Sequence, residues 1–225
     1  MSEVRLPRVA IVDFGMGNLF SVKHACEWAG LQATITASRE TLLSADAVIL
    51  PGVGAFGDAM AALCRHDLVS VLQEIEACGK PFLGICLGMQ LLMTESYEFG
   101  RHKGLGFIKG EVVRLEHSVE HDRTLKVPQI GWNRIMQSGP GSWQGALLDG
   151  VPDGEFMYFV HSFYVKPVDP RVVLSLTRYG STNICSSLRQ GNIFACQFHP
   201  ERSGPQGLQV YRNLAKQVNE AVRGG

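Results

Sequence analysis

The chain has 225 residues, 21 lysines and arginines against 21 aspartates and glutamates, and a hydrophobic fraction of 45%. That length suits one α/β domain with a substantial core, where two domains would be cramped. The balanced charge and the lack of any basic run exclude the electrostatic footprint of a nucleic-acid binder, and no apolar stretch approaches the roughly 18 residues that span a bilayer.

The first ten residues contain no long apolar core or cleavage site, so secretion is not expected. The cysteines Cys26, Cys64, Cys78, Cys86, Cys185 and Cys196 form no C-x-x-C pair, which leaves zinc-finger and thioredoxin-like readings without support. A cytoplasmic protein with reduced thiols is the expectation.

In chain order, residues 8–14 form an apolar run of strand length that ends at the glycine turn Gly15-Met16-Gly17-Asn18. Leu19–Trp28 then reads as a helix, closed by Gly30. Such an opening invites a dinucleotide-binding reading, but Phe20 stands where the third glycine of that fingerprint belongs, so no cofactor is expected here. Residues 33–36 predict a strand and residues 38–43 a helix with Ser38 as N-cap. Residues 47–50 predict the next strand, running into the loop Pro51-Gly52-Val53-Gly54. This loop is either a plain tight turn or, with two glycines in four residues, a source of backbone N–H groups for a negative oxygen. Residues 58–64 and 67–78 predict helices capped by Asp58 and Asp67, the second closed by Gly79.

Residues 81–85 are a short apolar run that delivers Cys86, and residues 87–93 are good helix formers apart from Gly88. Gly-x-Cys-x-Gly between a strand and a helix describes a nucleophile elbow. The sharp turn lifts the thiol out of the sheet, Gly84 and Gly88 leave room for backbone, and the helix N-terminus favours thiolate. The next N–H, that of Leu87, would point at an oxyanion formed by attack. The competing reading is a buried core cysteine, the usual fate of that residue.

The alternation of strands and helices to this point predicts a parallel sheet with right-handed crossovers and helices on both faces. From residue 104 the pattern changes. Residues 104–115, 126–136, 155–165, 172–177, 183–188 and 193–198 read as successive strands, an antiparallel extension with a hairpin at Arg189-Gln190-Gly191-Asn192. The polar connector 116–124 carries His117 and His121, four apart; a solvated loop fits better than a metal site, and no metal is expected. The run 193–198 delivers His199, with Glu201 two positions later, and residues 204–222 read as a final helix before a frayed tail. A cysteine nucleophile needs a base and the base needs an orienting group; Cys86, His199 and Glu201 supply all three in order.

Gly84–Gln90 (GICLGMQ) with His199-Pro200-Glu201 resembles the class I (triad-type) glutamine amidotransferases. Residues 51–56 (PGVGAF), 17–22 (GNLFSV), 127–133 (VPQIGWN) and 158–162 (YFVHS) narrow the likeness to the glutaminase subunits of imidazole glycerol phosphate synthase. The resemblance implies one three-layer α/β domain over 1–225, with a mostly parallel central sheet and an antiparallel extension. It implies catalysis by Cys86, His199 and Glu201, and an oxyanion hole from Leu87 with Gly52 and Val53, the latter half formed after a peptide rearrangement when the partner's ligand binds. Gln90, His161 and Ser162 would bind substrate, and residues 17–22 would form a turn near the partner-facing side. Trp132 and Tyr158 are either ordinary strand aromatics or, by resemblance, part of the frame of the glutamine site and the interface. The family block often has His where this chain has Gln129, which leaves the role of that side chain open.

No P-loop, metal box or acceptor-binding domain accompanies these residues, so the ammonia has no user within the chain. By resemblance the user is a separate (β/α)8-barrel cyclase subunit, HisF, in a heterodimer. The rival readings are a glutaminase serving a pyridoxal phosphate or surface-sugar synthase, and a cysteine hydrolase or non-catalytic module on the same frame.

Overall fold

The computed structural model describes residues 5–116, 119–120 and 123–224. The first half alternates β1 (Arg8–Val12), α1 (Leu19–Trp28), β2 (Gln32–Thr36), α2 (Arg39–Ser44), β3 (Ala47–Gly52), α3 (Phe56–Arg65), α4 (Leu68–Ala77), β4 (Phe82–Cys86) and α5 (Leu87–Leu91). Then come β5 (Met93–Ser96), β6 (His102–Lys103), β7 (Ile108–Arg114), the short pair β8 (Val119–Glu120) and β9 (Arg123–Thr124), β10 (Gln129–Arg134) and β11 (Met136–Gln137). The chain ends with β12 (Phe156–His161), β13 (Phe163–Pro167), β14 (Val173–Tyr179), β15 (Thr182–Gln190), β16 (Ile193–Cys196) and α6 (Gly204–Gly224). His117 and His121, the pair weighed as metal ligands, lie outside the described residues, as does Gly225.

The main sheet has the order β11-β14-β15-β16-β4-β3-β1-β2. Strands β16, β4, β3, β1 and β2 run parallel, and β15, β14 and β11 extend the sheet antiparallel. Of the other strands read as that extension, β16 instead pairs parallel with β4, β7 and β13 belong to a separate four-stranded sheet, and β10 and β12 form a two-stranded ribbon. The inner parallel strands are buried on both faces, with side chains alternating between two cores, whereas β2 at the edge is partly exposed. Ala10, Val12, Val48 and Leu50 face the core under α2, α3, α4 and α5, while Val9, Ile11, Ala47 and Ile49 face the core under α1 and α6. Each fully buried aliphatic or aromatic side chain in such a core is worth roughly 1.5–3 kcal/mol. The β15–β16 hairpin turns through Gly191, whose φ of 57° suits the predicted glycine.

Several boundaries differ from the sequence reading. The predicted caps Asp58 and Asp67 make no side-chain capping bond: Asp58 lies in the first turn of α3, and Asp67 sits before α4 in a left-handed conformation with φ 53°. The first N–H of α3, that of Phe56, is instead taken by the Glu98 carboxylate at 2.5 Å. Ser38 does cap α2, accepting from the Thr41 N–H at 3.3 Å. The helix after Cys86 ends at Leu91 rather than Met93, because Met93 enters β5 and pairs with β7. Pro51 and Gly52 remain in β3, opposite Ile85 and Cys86. The reading of 104–115 as one strand shrinks to β7, and residues 155–165 split into β12 and β13 at Ser162.

Gly88 is the tightest joint. A Cβ there would lie 1.8 Å from the Leu50 carbonyl oxygen, which belongs to a central strand and has nowhere to go. Gly88→Ala is expected to destabilise the fold by about 3 kcal/mol or more, read as a fall in the chemical-denaturation midpoint. Gly84→Ala, whose nearest side-chain neighbours are Ala195 and Leu92 at 3.1 Å, should cost less.

Candidate active site

β4 ends at Cys86 with φ 55° and ψ −110°. A non-glycine residue held there carries on the order of 1–3 kcal/mol of strain, which the flanking strand and helix must over-determine. The elbow read from Gly-x-Cys-x-Gly is therefore present, and it turns the chain into α5 with Leu87 as the first helical residue. Cys86 is buried, and its Sγ receives Gln197 Nε2 at 3.6 Å and lies 3.8 Å from the Val160 carbonyl oxygen.

β16 is the parallel neighbour of β4, with Cys196 opposite Ile85, so the chain leaving β16 passes beside Cys86. His199 follows three residues after Cys196. Its backbone N–H donates to the Tyr158 carbonyl at 2.9 Å. Ser203 closes the clamp, its Oγ accepting from the Tyr158 N–H at 3.0 Å and donating to the His199 carbonyl at 2.6 Å. His199 Nδ1 is 2.8 Å from Glu201 Oε1, with both side chains almost wholly buried. Burial, the largest single influence, pushes the imidazole toward neutrality. The neighbouring Cys86 and the Glu201 carboxylate more than reverse this and raise its pKa from 6.5 to about 10. His199 Nε2 has no hydrogen-bond partner among the described residues.

A cavity of about 300 Å³ opens beside Cys86, at the small end of ligand sites. Of the expected residues, Val53, Cys86, Leu87, Gln90, His161 and Ser162 line it. His199 and Glu201 stand behind Cys86. Gly52 is not in the wall: it is held in β3, where a Cβ would press on Leu87 and Phe14. A second hollow of similar volume lies at the opposite ends of β4 and β16. The side-chain donors of Arg189, Asn192 and Gln217 there are already spent on backbone carbonyls.

Gln90 lines the cavity, where it was expected to hold the substrate amide, but its amide nitrogen is engaged within the protein. Its Nε2 donates to the Phe163 carbonyl at 2.9 Å and to Gln197 Oε1 at 3.0 Å, which uses both donors inside the protein. The result is a chain of hydrogen bonds from Phe163 through Gln90 and Gln197 to the Cys86 sulfur. His161 Nδ1 meets the same Phe163 carbonyl at 2.9 Å, so the proton sits on Nδ1. Burial lowers its pKa to about 4 and keeps the ring neutral.

Two residues at this site escape a sequence reading. Gln197 lies in the QFHPE block, but only the register of β16 against β4 aims it at sulfur. Glu98 lines the cavity and caps α3; nothing in its local sequence marks it.

An α/β sheet with a strained cysteine elbow, and a His–Glu pair leaving the neighbouring parallel strand, defines a triad-type class of enzyme. The family model for class-I glutamine amidotransferases matches residues 10–218. The chain is 44% identical over 214 residues to the imidazole glycerol phosphate synthase subunit HisH of Aquifex aeolicus, covering 95% of this chain and 98% of that one. It is 45% identical over 208 residues to the HisH subunit of Syntrophotalea carbinolica, covering 92% and 98%. The chain belongs to the class-I glutamine amidotransferase family, in its HisH branch. The fold is also that of a chain in the structure of PurLQS from Thermotoga maritima, with a TM-score of 0.72 at 18% identity over 95% of this chain and 100% of that one.

Proposed function

We infer that the chain is the glutaminase subunit of imidazole glycerol phosphate synthase, hydrolysing glutamine to glutamate and ammonia for a partner that consumes the ammonia. The observation that carries this is the 44% identity across nearly the whole of a HisH subunit. The same relatives disfavour a glutaminase of another synthase. The chain acts as one amidotransferase domain over 1–225, in the cytoplasm, where exposed free thiols such as Cys64 and Cys78 stay reduced.

Cys86 attacks the glutamine carboxamide carbon, with His199 holding or taking the thiol proton and Glu201 orienting His199 and stabilising its imidazolium. Gln197 Nε2 donates to the sulfur that makes this attack. The tetrahedral oxyanion rests on the Leu87 N–H and on one N–H from the Gly52–Val53 segment, each such donor being worth on the order of 3 kcal/mol. The second donor becomes available when the segment rearranges in the complex; Val53 is already at the cavity wall, whereas Gly52 is locked in strand pairing. As the C–N bond breaks, His199 gives its proton to the leaving nitrogen. Water activated by His199 then opens the thioester to glutamate.

Ser162 and the backbone of residues 160–163 hold the polar end of the substrate, and Glu98 offers the carboxylate that its α-ammonium group needs. A charge-assisted hydrogen bond of about 1.5–3 kcal/mol predicts that Glu98→Ala raises KM for glutamine about ten- to hundredfold. Because Glu98 also caps α3, the same change should lower stability by about 1 kcal/mol. Steady-state kinetics alongside a denaturant titration separates the two effects.

The partner is the barrel-shaped cyclase subunit HisF, in a heterodimer. Exposed Phe20, Ile130 and Trp132 supply apolar surface for it, with Trp132 packed edge-on against Tyr158 and Arg202 stacked over Tyr158 at 5.0 Å. Co-purification with a cyclase barrel tests this directly, and recovery with a different synthase instead would overturn it.

A further inference from the structure

We propose that Gln129 and His161 form a binding site for the ammonia released at Cys86, on the buried face of the β10–β12 ribbon. The inference rests on the glutaminase reading above.

Gln129 and His161 are directly opposed across β10 and β12, so their side chains share one face of the ribbon. Gln129 is 3% and His161 6% exposed. Gln129 Oε1, Gln129 Nε2 and His161 Nε2 are all buried without a hydrogen-bond partner among the described residues, and the two side chains do not bond each other. Buried polar atoms left unpaired cost about 1–3 kcal/mol each, so three at one spot mark a place where something polar is meant to bind.

The chemistry of the three atoms suits ammonia. With its proton on Nδ1, bonded to the Phe163 carbonyl, His161 presents Nε2 as an acceptor. Gln129 adds a second acceptor, Oε1, and donor hydrogens on Nε2. Ammonia has three N–H donors and one lone pair, which two acceptors and a donor complement. A neutral imidazole there has no proton to give, so the nitrogen remains the nucleophilic free base. The position fits as well. His161 lines the cavity beside Cys86, as does Pro128, next to Gln129. On the other side of the same ribbon Ile130 and Trp132 are exposed at 63% and 55%. The ribbon thus separates the place where ammonia forms from the apolar surface assigned to the partner, and the Gln129–His161 pair lies on its buried face.

The test uses the complex with the cyclase subunit and measures glutamate, cyclised product and free ammonia together, since each glutamate leaves one nitrogen in one of the last two pools. In Gln129→Met, the ratio of product to glutamate is expected to fall about tenfold, the effect of about 1.4 kcal/mol, with the missing nitrogen recovered as free ammonia. Turnover driven by added ammonium chloride should stay as in the unmodified complex. Methionine nearly conserves volume and removes two unpaired polar atoms, so the variant should melt no lower than the parent. Gln129→His, which supplies a ring acceptor in place of the amide oxygen, should recover much of the ratio. An unchanged ratio in Gln129→Met would overturn the proposal. So would a parallel loss of glutamate and product, which would make the pair a support for the triad. If the unmodified complex released no Cys86-dependent glutamate, the glutaminase reading itself would have failed, and this inference with it.

Discussion

Cys86→Ala is expected to lower glutamate release by about 10⁴-fold or more while the protein remains folded, because loss of a nucleophile leaves only binding and oxyanion stabilisation. The backbone at this position makes a second, opposite expectation. At φ 55° and ψ −110° glycine is strain-free whereas alanine is not. Cys86→Gly should therefore be inactive yet more stable than Cys86→Ala by about 1–2 kcal/mol. Denaturation midpoints of the two inactive variants would show this. Equal midpoints would mean that the elbow stores no strain, and substantial activity in either would remove Cys86 from the chemistry.

Glu201→Gln is the second large effect. A carboxamide keeps the shape but removes the charge and permits the wrong imidazole tautomer, as at Ser–His–Asp sites, so kcat should fall about 10³–10⁴-fold. A linked change in stability identifies the cause. The folded-state pKa of His199 is raised from 6.5 to about 10. Its contribution to stability is thus fully present below pH 6.5 and is lost as pH rises through 10. His161 acts in the opposite sense, since its lowered pKa of about 4 makes the fold lose stability as pH falls from 6.5 toward 4. The parent should be most stable near neutrality. Because Cys86 is the larger influence raising the His199 pKa and Glu201 the smaller, Glu201→Gln should make the alkaline slope shallower without removing it and leave the acid limb unchanged. An unaltered alkaline slope would mean that Glu201 adds nothing to the hold on that proton.

Where each of these groups stands was legible to different degrees. The elbow could be read because each of its signals has a local steric cause. Gly88 must clear the Leu50 carbonyl, and the apolar run ending at Cys86 is buried on both faces. His199 and Glu201 are two residues apart, so their pairing is a local matter. That they stand beside Cys86 depends on β16 joining β4 in parallel, whereas the strand pattern placed residues 193–198 in the antiparallel extension. The parallel half was readable from its alternation, and its two-sided burial follows from helices on both faces.

The errors have the opposite origin, in tertiary partners that override local preference. Residues 87–93 are good helix formers, yet Met93 is claimed by the ladder with β7. Asp58 looks like a cap, but a carboxylate from the β5–β6 connection, Glu98, reaches the helix end first. Gln90 sits in the first turn of α5 as expected, but the carbonyl of Phe163 and the amide of Gln197 take its donors. Gln129, whose role the sequence left open, acquires one only from its cross-strand neighbour His161.

The central claim is that Cys86, His199 and Glu201 hydrolyse glutamine for a cyclase partner. Its most direct test is glutamate release from glutamine by the purified chain, alone and with the cyclase barrel and its acceptor ligand, with Cys86→Ala as the blank. The account predicts weak release alone, a rise of orders of magnitude in the complex, and none in the variant. Strong release by the lone chain that the barrel leaves unchanged would contradict the assignment to this synthase, and release that survives Cys86→Ala would contradict the triad itself.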